Sequence, residues 1–138
     1  MPLRKNVKVE LIKRVPLFAQ CSKAELARVA AIADEVHTPA GSTLTTEGAP
    51  GLEFFVIVDG KAEVRQGTRK VNELSDGDFF GEVSVLAGTP RTATVTTTAP
   101  ARLLVVTDRD LTRLLRDSPR IQAKVLQALA QRLAPATI

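Results

Sequence analysis

Phe79–Val95, "FFGEVSVLAGTPRTATV", contains the only basic side chain between Val71 and Ala101, that of Arg91. Residues 82–87 are too few for an ordinary helix, but they suffice for one or two turns bounded by Gly81 and Gly88. A helical turn exposes its first N–H groups, and these donors with the partial positive charge of a helix start form a seat for an anion. Gly81 lets a ligand approach the backbone closely. Arg91 completes the seat, because its planar guanidinium gives two parallel hydrogen bonds to phosphate oxygens. Glu82 is repelled by a phosphate unless its carboxylate accepts a hydrogen bond from a nearby hydroxyl, such as a ribose supplies. A phosphate with a ribose next to it is a nucleotide. The plainer alternative is an ion pair between Glu82 and Arg91 at the surface, usually a weak stabiliser.

Outward from this stretch, from about Glu35 to Thr107, the chain consists of short segments rich in Val, Thr, Phe and Ile, punctuated by glycines. "EFFVIVDGKAEV" (53–64) predicts two strands joined as a tight hairpin at Asp59-Gly60. In "RTATVTTTAP" (91–100) Ala93 and Val95 share a face, and "ARLLVVT" (101–107) is more continuously apolar. Many short strands with regular turn signals argue an antiparallel sandwich or jelly roll rather than a parallel α/β sheet.

The flanks are helical. Ser22-Lys23-Ala24-Glu25 has the form of a capping box, with Leu26, Val29, Ala30 and Ala33 following on one face until Pro39 and Gly41. Asp108 or Thr107 caps a segment striped by Leu111, Leu114 and Leu115, and Ser118-Pro119 starts another that Pro135 stops. Ile121, Val125, Ala128, Leu129 and Leu133 line one face of this last helix. That stripe packs on the domain's own sheet, covers a ligand as a lid, or forms a homodimer seam; the sequence leaves all three open.

The chain has 138 residues, enough for one domain with its own core. No run of about 18 apolar residues is present to span a bilayer. "MPLRKNVKVELIKR" lacks the apolar stretch of a secretory signal, and Cys21 has no second cysteine, so the expectation is a cytoplasmic protein. The net charge of +4 is unevenly spread. Residues 1–14 carry five basic side chains against one acidic, residues 101–138 seven against three, and residues 15–100 seven against eleven. With no Trp or Tyr, and five Phe in apolar contexts, basic helical ends explain the charge better than a nucleic-acid surface does. Direct nucleic-acid binding is not expected.

The stretch 80–93 resembles the phosphate-binding cassette of cyclic nucleotide-binding domains, the family of the catabolite activator protein and the protein kinase A regulatory subunits. The motif residues are Phe80-Gly81-Glu82, the apolar turn Val83 to Leu86, and Pro90-Arg91-Thr92-Ala93. "VPLF" with the capped helix, "PAGSTLTTEG", "EFFVIVDGKAEV" and Leu74 to Asp78 extend the likeness over nearly the whole chain. It implies a mainly β fold: an antiparallel β-roll, or double-stranded jelly roll, with N-terminal helices, a short cassette helix and two C-terminal helices. A single domain over 1–138 is expected, divided into a helical part (1–34), a β-roll (35–107) and final helices (108–134).

The resemblance further implies that Arg91 binds a cyclic phosphate and Glu82 the ribose 2′-hydroxyl. Backbone N–H groups near Val83 and Ser84 add to the phosphate site beside Gly81 and Ala93, and the Thr92 hydroxyl reaches the phosphate or the base. Val71, Leu74, Phe80, Leu86 and Val95 are candidates for the apolar wall. Leu129, Arg132 or Leu133 of the final helix cap the base. The implied ligand is cAMP, with cGMP the alternative because Thr92 fits both, and no cofactor is called for. The expected protein is a regulatory sensor module, free-standing or part of a longer protein, in which nucleotide draws the short helix inward and the C-terminal helices follow to control an effector protein or domain. The rivals are a degenerate domain acting only in protein interaction and the sensor part of a DNA-binding regulator. An enzyme is not expected: His37 is the only histidine, no Cys-rich cluster accompanies it, and no Gly-x-Ser-x-Gly motif is present.

Overall fold

The run 53–59, apolar from Phe54 to Val58, alternates between two environments, and this alternation organises the molecule. In the computed structural model, which describes residues 5–133 with side chains from Lys8 to Gln131, this run is strand β3 (Glu53–Asp59). It lies between β8 (Ala101–Thr107) and β6 (Phe79–Phe80), and β1 (Asp34–Thr38) flanks β8, giving one four-stranded antiparallel sheet in the order β1-β8-β3-β6. A second antiparallel sheet has the order β2-β7-β4-β5, from β2 (Thr43–Thr45), β7 (Thr94–Thr97), β4 (Ala62–Gln66) and β5 (Arg69–Leu74). The fold is the mainly β, helix-flanked roll expected from the sequence.

Because successive side chains of a strand point to opposite faces, β3 and β8 contribute to two cores. Phe54, Val56, Val58, Leu104 and Val106 face the helices, while Phe55, Ile57, Leu103 and Ala101 face the interior of the roll with Ala62, Leu74, Phe80 and Val95. The register holds these sets in phase, pairing Phe54 with Val106 and Ile57 with Leu103.

The helix-side core is covered by α1 (Lys5–Lys13), a 3-10 turn (Pro16–Phe18), α2 (Lys23–Ile32), α4 (Asp108–Asp117) and α5 (Pro119–Leu133). The capping box is formed: Ser22 Oγ accepts from the Glu25 N–H at 3.2 Å and Glu25 Oε1 accepts from the Ser22 N–H at 2.9 Å. Of the two candidate caps for α4, Thr107 serves, accepting from the Asp110 N–H. Leu111, Leu114, Leu115, Ile121 and Val125 are buried in this core, so the forward part of the final stripe packs against its own domain.

One expectation is corrected. Asp59-Gly60 does not make a hairpin, because β3 and β4 belong to different sheets. The chain crosses from one sheet to the other there, and the Gly60 N–H is taken by Asp76 Oδ1 at 2.8 Å instead of a hairpin partner. The hairpin lies one strand later, where β4 pairs with β5 across the Gly67-Thr68 turn. Among the described residues no helix is long and apolar enough to cross a membrane, and no group of three His, Cys, Asp or Glu residues is placed to hold a metal ion.

Candidate ligand-binding site

Between β6 and β7 the chain makes a two-turn helix, α3 (Glu82–Ala87), bounded by Gly81 and Gly88, both left-handed. Gly81 has φ 97°, a conformation that side chains with a Cβ rarely adopt. A Cβ there would also lie 2.8 Å from the Glu53 carbonyl oxygen and 2.9 Å from Arg91 Nη1. Glycine is therefore required by the protein's own carbonyl and guanidinium, and not only to admit a ligand.

Those same groups position Arg91. Its backbone is held on both sides by the turn before β3, through Arg91 N–H to Ala49 O at 2.8 Å and Gly48 N–H to Arg91 O at 2.9 Å. Its side chain is 7% exposed and donates from Nη1 to Gly81 O at 3.2 Å and from Nη2 to Glu53 O at 2.7 Å. A guanidinium carries five N–H groups, so two carbonyls orient the fork without exhausting it. Its carbon stands 5.8 Å from the centroid of the Phe55 ring, which stacks on Phe80 at 4.8 Å and 7°. Burial pushes the Arg91 pKa down, against the opposing pull of Glu53 and Glu82. Arginine starts so high that it stays charged near neutrality.

Glu82 is fully buried. An isolated carboxylate in that position would be costly, and the Arg91 charge offsets part of the cost. Ser84, also buried, donates its hydroxyl to Pro90 O at 3.2 Å, which ties the first turn of α3 to the segment leading into Arg91. Gly51 packs directly beneath: a Cβ there would meet Ser84 Cβ at 2.3 Å and Arg91 Cζ at 3.3 Å.

These groups open onto a cavity of about 570 Å³, within the roughly 300–1,000 Å³ usual for small-molecule sites. Gly81 lines it with Glu82, Val83 and Ser84 of α3, and Arg91, Thr92 and Ala93 line it from the approach to β7. Leu74, Phe80 and Val95 form buried apolar wall, with Val71 at the more exposed rim. The cavity thus has one charged end and one apolar side.

Two sequence-based placements are corrected. Leu86 is not on the cavity wall. It sits in the second turn of α3, which carries it away from the cavity and onto the helix-side core together with Val85. Leu129 does not line the cavity either; Gln131 of α5 does. Two residues along a helix turn through roughly 200°, so these side chains face nearly opposite ways. Arg132 and Leu133 lie outside the described side chains.

Sequence reasoning missed Gly51, the Glu53 carbonyl, Phe55 and Gln131. A backbone carbonyl leaves no residue-type signal, and Phe55 is indistinguishable from its neighbours in "EFFVIVD". The Pro50-Gly51 pair marks a turn, but nothing local shows that it packs against a segment more than thirty residues later. Gln66 was also missed; its Nε2 donates to Thr92 O at 3.1 Å and braces the exposed Thr92 from the neighbouring strand.

Residues 35–118 match the family described as "Cyclic nucleotide-binding domain". The chain belongs to that family. This cyclic nucleotide-binding domain is 40% identical over 121 residues to the cAMP-dependent protein kinase regulatory subunit of Mycosarcoma maydis, covering 81% of this chain and 23% of that protein. It is 31% identical over 130 residues to the CRP-like cAMP-activated global transcriptional regulator of Mycobacterium tuberculosis, covering 90% of this chain and 58% of that protein. The chain therefore spans about a quarter of the first relative and somewhat over half of the second. Among solved structures, the regulatory subunit of a cAMP-independent protein kinase A from Trypanosoma brucei superposes with a TM-score of 0.82, covering 93% of this chain and 46% of that one. At 18% identity that is a likeness of fold.

Proposed function

We propose that this domain is a cAMP sensor in which Arg91 pairs with the cyclic phosphate and Glu82 accepts a hydrogen bond from the ribose 2′-hydroxyl. The observation that carries the reading is a buried arginine, oriented by two carbonyls and an aromatic ring, at the charged end of a cavity that also holds a fully buried glutamate. N–H groups at the start of α3, near Val83 and Ser84, supply further donors to the phosphate, since the first N–H groups of a helix have no intrahelical acceptor. Leu74, Phe80 and Val95 give the base an apolar wall. The names of the kinase subunit and the transcriptional regulator favour cAMP, while Thr92 at the cavity keeps cGMP as the alternative.

The output follows from packing. The first turn of α3 lines the cavity, whereas Val85 and Leu86 in its second turn rest on the core that holds Leu111, Leu114 and Leu115 of α4 and Ile121 and Val125 of α5. Movement of α3 toward a phosphate disturbs that seam, and the C-terminal helices shift to control an effector protein or domain. The role is regulatory, with no chemical step. A ligand shifts such an equilibrium only by its differential affinity for the two states.

The test is a calorimetric titration with cAMP, cGMP and 2′-deoxy-cAMP. Saturable cAMP binding, weakened about tenfold or more by loss of the 2′-hydroxyl, supports both roles; a hydrogen bond to a charged group is worth about 1.5–3 kcal/mol. Equal binding of cAMP and its 2′-deoxy analogue would remove Glu82 from the ribose. Absence of binding to every nucleotide would favour a ligand-free interaction module.

A further inference from the structure

On the far side of α3 from the nucleotide cavity, a groove of about 260 Å³ runs between α3 and α4. Its apolar edge is Val85, and its other wall is Asp108, Arg109, Thr112, Arg113 and Arg116. The three arginines are exposed, and none forms an ion pair or side-chain hydrogen bond among the described residues. Their spacing of four and then three residues places them within an arc of about 60° on α4, at 100° per residue. Asp110 and Asp117, three and four residues from Arg113, flank the stripe on one side, and neither forms an ion pair with it among the described residues. The like-charged pairs Arg109–Arg113 and Arg113–Arg116 are offset on α4 by the oppositely charged pairs Asp110–Arg113 and Arg113–Asp117 at the same spacings, each worth about 0.2–0.5 kcal/mol, and the stability of the helix comes from the buried Leu111, Leu114 and Leu115.

We propose that this groove is a docking surface for an acidic helical segment of a partner protein, with carboxylates at i, i+4 and i+7 facing Arg113 and its neighbours and an apolar side chain against Val85. Charge complementarity selects the occupant. Each guanidinium receives a carboxylate in its fork geometry, and matching repeats on two helices let three pairs form together. With Asp108 the wall still carries three basic groups against one acidic, and no aromatic side chain lines it to stack on bases, so a nucleic acid suits the groove less well. The proposal stands independently of the nucleotide reading, although Val85 belongs to the helix whose first turn lines the nucleotide cavity.

The test uses the whole chain and a labelled helical peptide carrying glutamates at i, i+4 and i+7 with a leucine between them, read by fluorescence anisotropy. The expected result is saturable binding that strengthens at low salt and weakens at least about tenfold in Arg113→Glu. A glutamine version of the peptide should not bind. Arg113→Gln, which removes the charge without reversing it, should give an intermediate loss at an unchanged melting temperature. The distant pair Lys61→Glu and Arg69→Glu should leave binding nearly intact. Equal loss in that distant control would reduce the effect to net charge and overturn the proposal. Absence of saturable binding, or a DNA duplex binding more tightly through the same three arginines, would overturn it as well.

Discussion

Phe54 and Phe55 are adjacent in sequence and serve different parts of the molecule. Phe54 is 1% exposed in the core shared with α1, α2, α4 and α5, and packs against Phe79 with ring centroids 5.6 Å apart. Phe55 lies on the opposite face of β3, within the roll, stacked on Phe80 and beneath the Arg91 guanidinium. One strand thus supports both the side that would move and the side that would bind. The roll core fixes the charged end of the cavity, and the helix-side core is where a displacement of α3 would be felt.

The largest expected effect is on stability. Phe54→Ala should destabilise the domain by about 3–5 kcal/mol, read from denaturant midpoints; a loss below about 1 kcal/mol would mean that the helices do not depend on this face of β3. A smaller substitution separates the two faces. Phe55→Leu removes the ring under Arg91 and its stack on Phe80, each worth about 0.5–1.5 kcal/mol, and should weaken nucleotide binding severalfold by calorimetry. Phe54→Leu changes the same volume on the other face and should leave affinity nearly unchanged. Equal effects of the two leucine variants on binding would erase the proposed division.

The cassette was legible in the sequence because its requirements are local and chemically specific: two glycines bound a turn too short to be an ordinary helix, and one arginine stands in an otherwise uncharged approach to a strand. The antiparallel roll was legible from strand composition and turn spacing. What failed was long-range. Asp59-Gly60 favours a turn, but no local signal says whether the next strand pairs with the last or crosses to another sheet. Leu86 and Leu129 are apolar residues on helices beside the cavity, and only the rotation and direction of those helices show that they face elsewhere. Gln131 reaches the cavity from a position that an apolar stripe gives no reason to select.

Two smaller effects probe the helix-side core at its edge. Ser22→Ala removes the capping hydroxyl of α2 and should cost about 0.5–2 kcal/mol, again by denaturant unfolding. Glu25 closes that box and also accepts from the Ser118 hydroxyl, where α4 gives way to α5. Foremost the Ser118 bond, and then the Ser22 backbone N–H, holds its carboxyl below the ordinary value of 4.5. A depressed folded-state pKa means that the charged form is favoured by folding, so this stabilisation is present above about pH 4.5 and is lost as pH falls through the lower folded value. The stability gap between wild type and Glu25→Gln should therefore be constant from neutrality to about pH 5 and shrink below it. A gap that widened on acidification would contradict the bond.

The most direct test of the binding account is calorimetric titration of cAMP into the wild-type chain and into Arg91→Ala, with far-ultraviolet circular dichroism showing that both are folded. The account predicts saturable binding to the wild type and a loss of more than about tenfold in the variant, since charge-assisted bonds worth about 1.5–3 kcal/mol each are removed. Unchanged affinity in a folded Arg91→Ala protein would place the nucleotide, if it binds, somewhere other than this cavity.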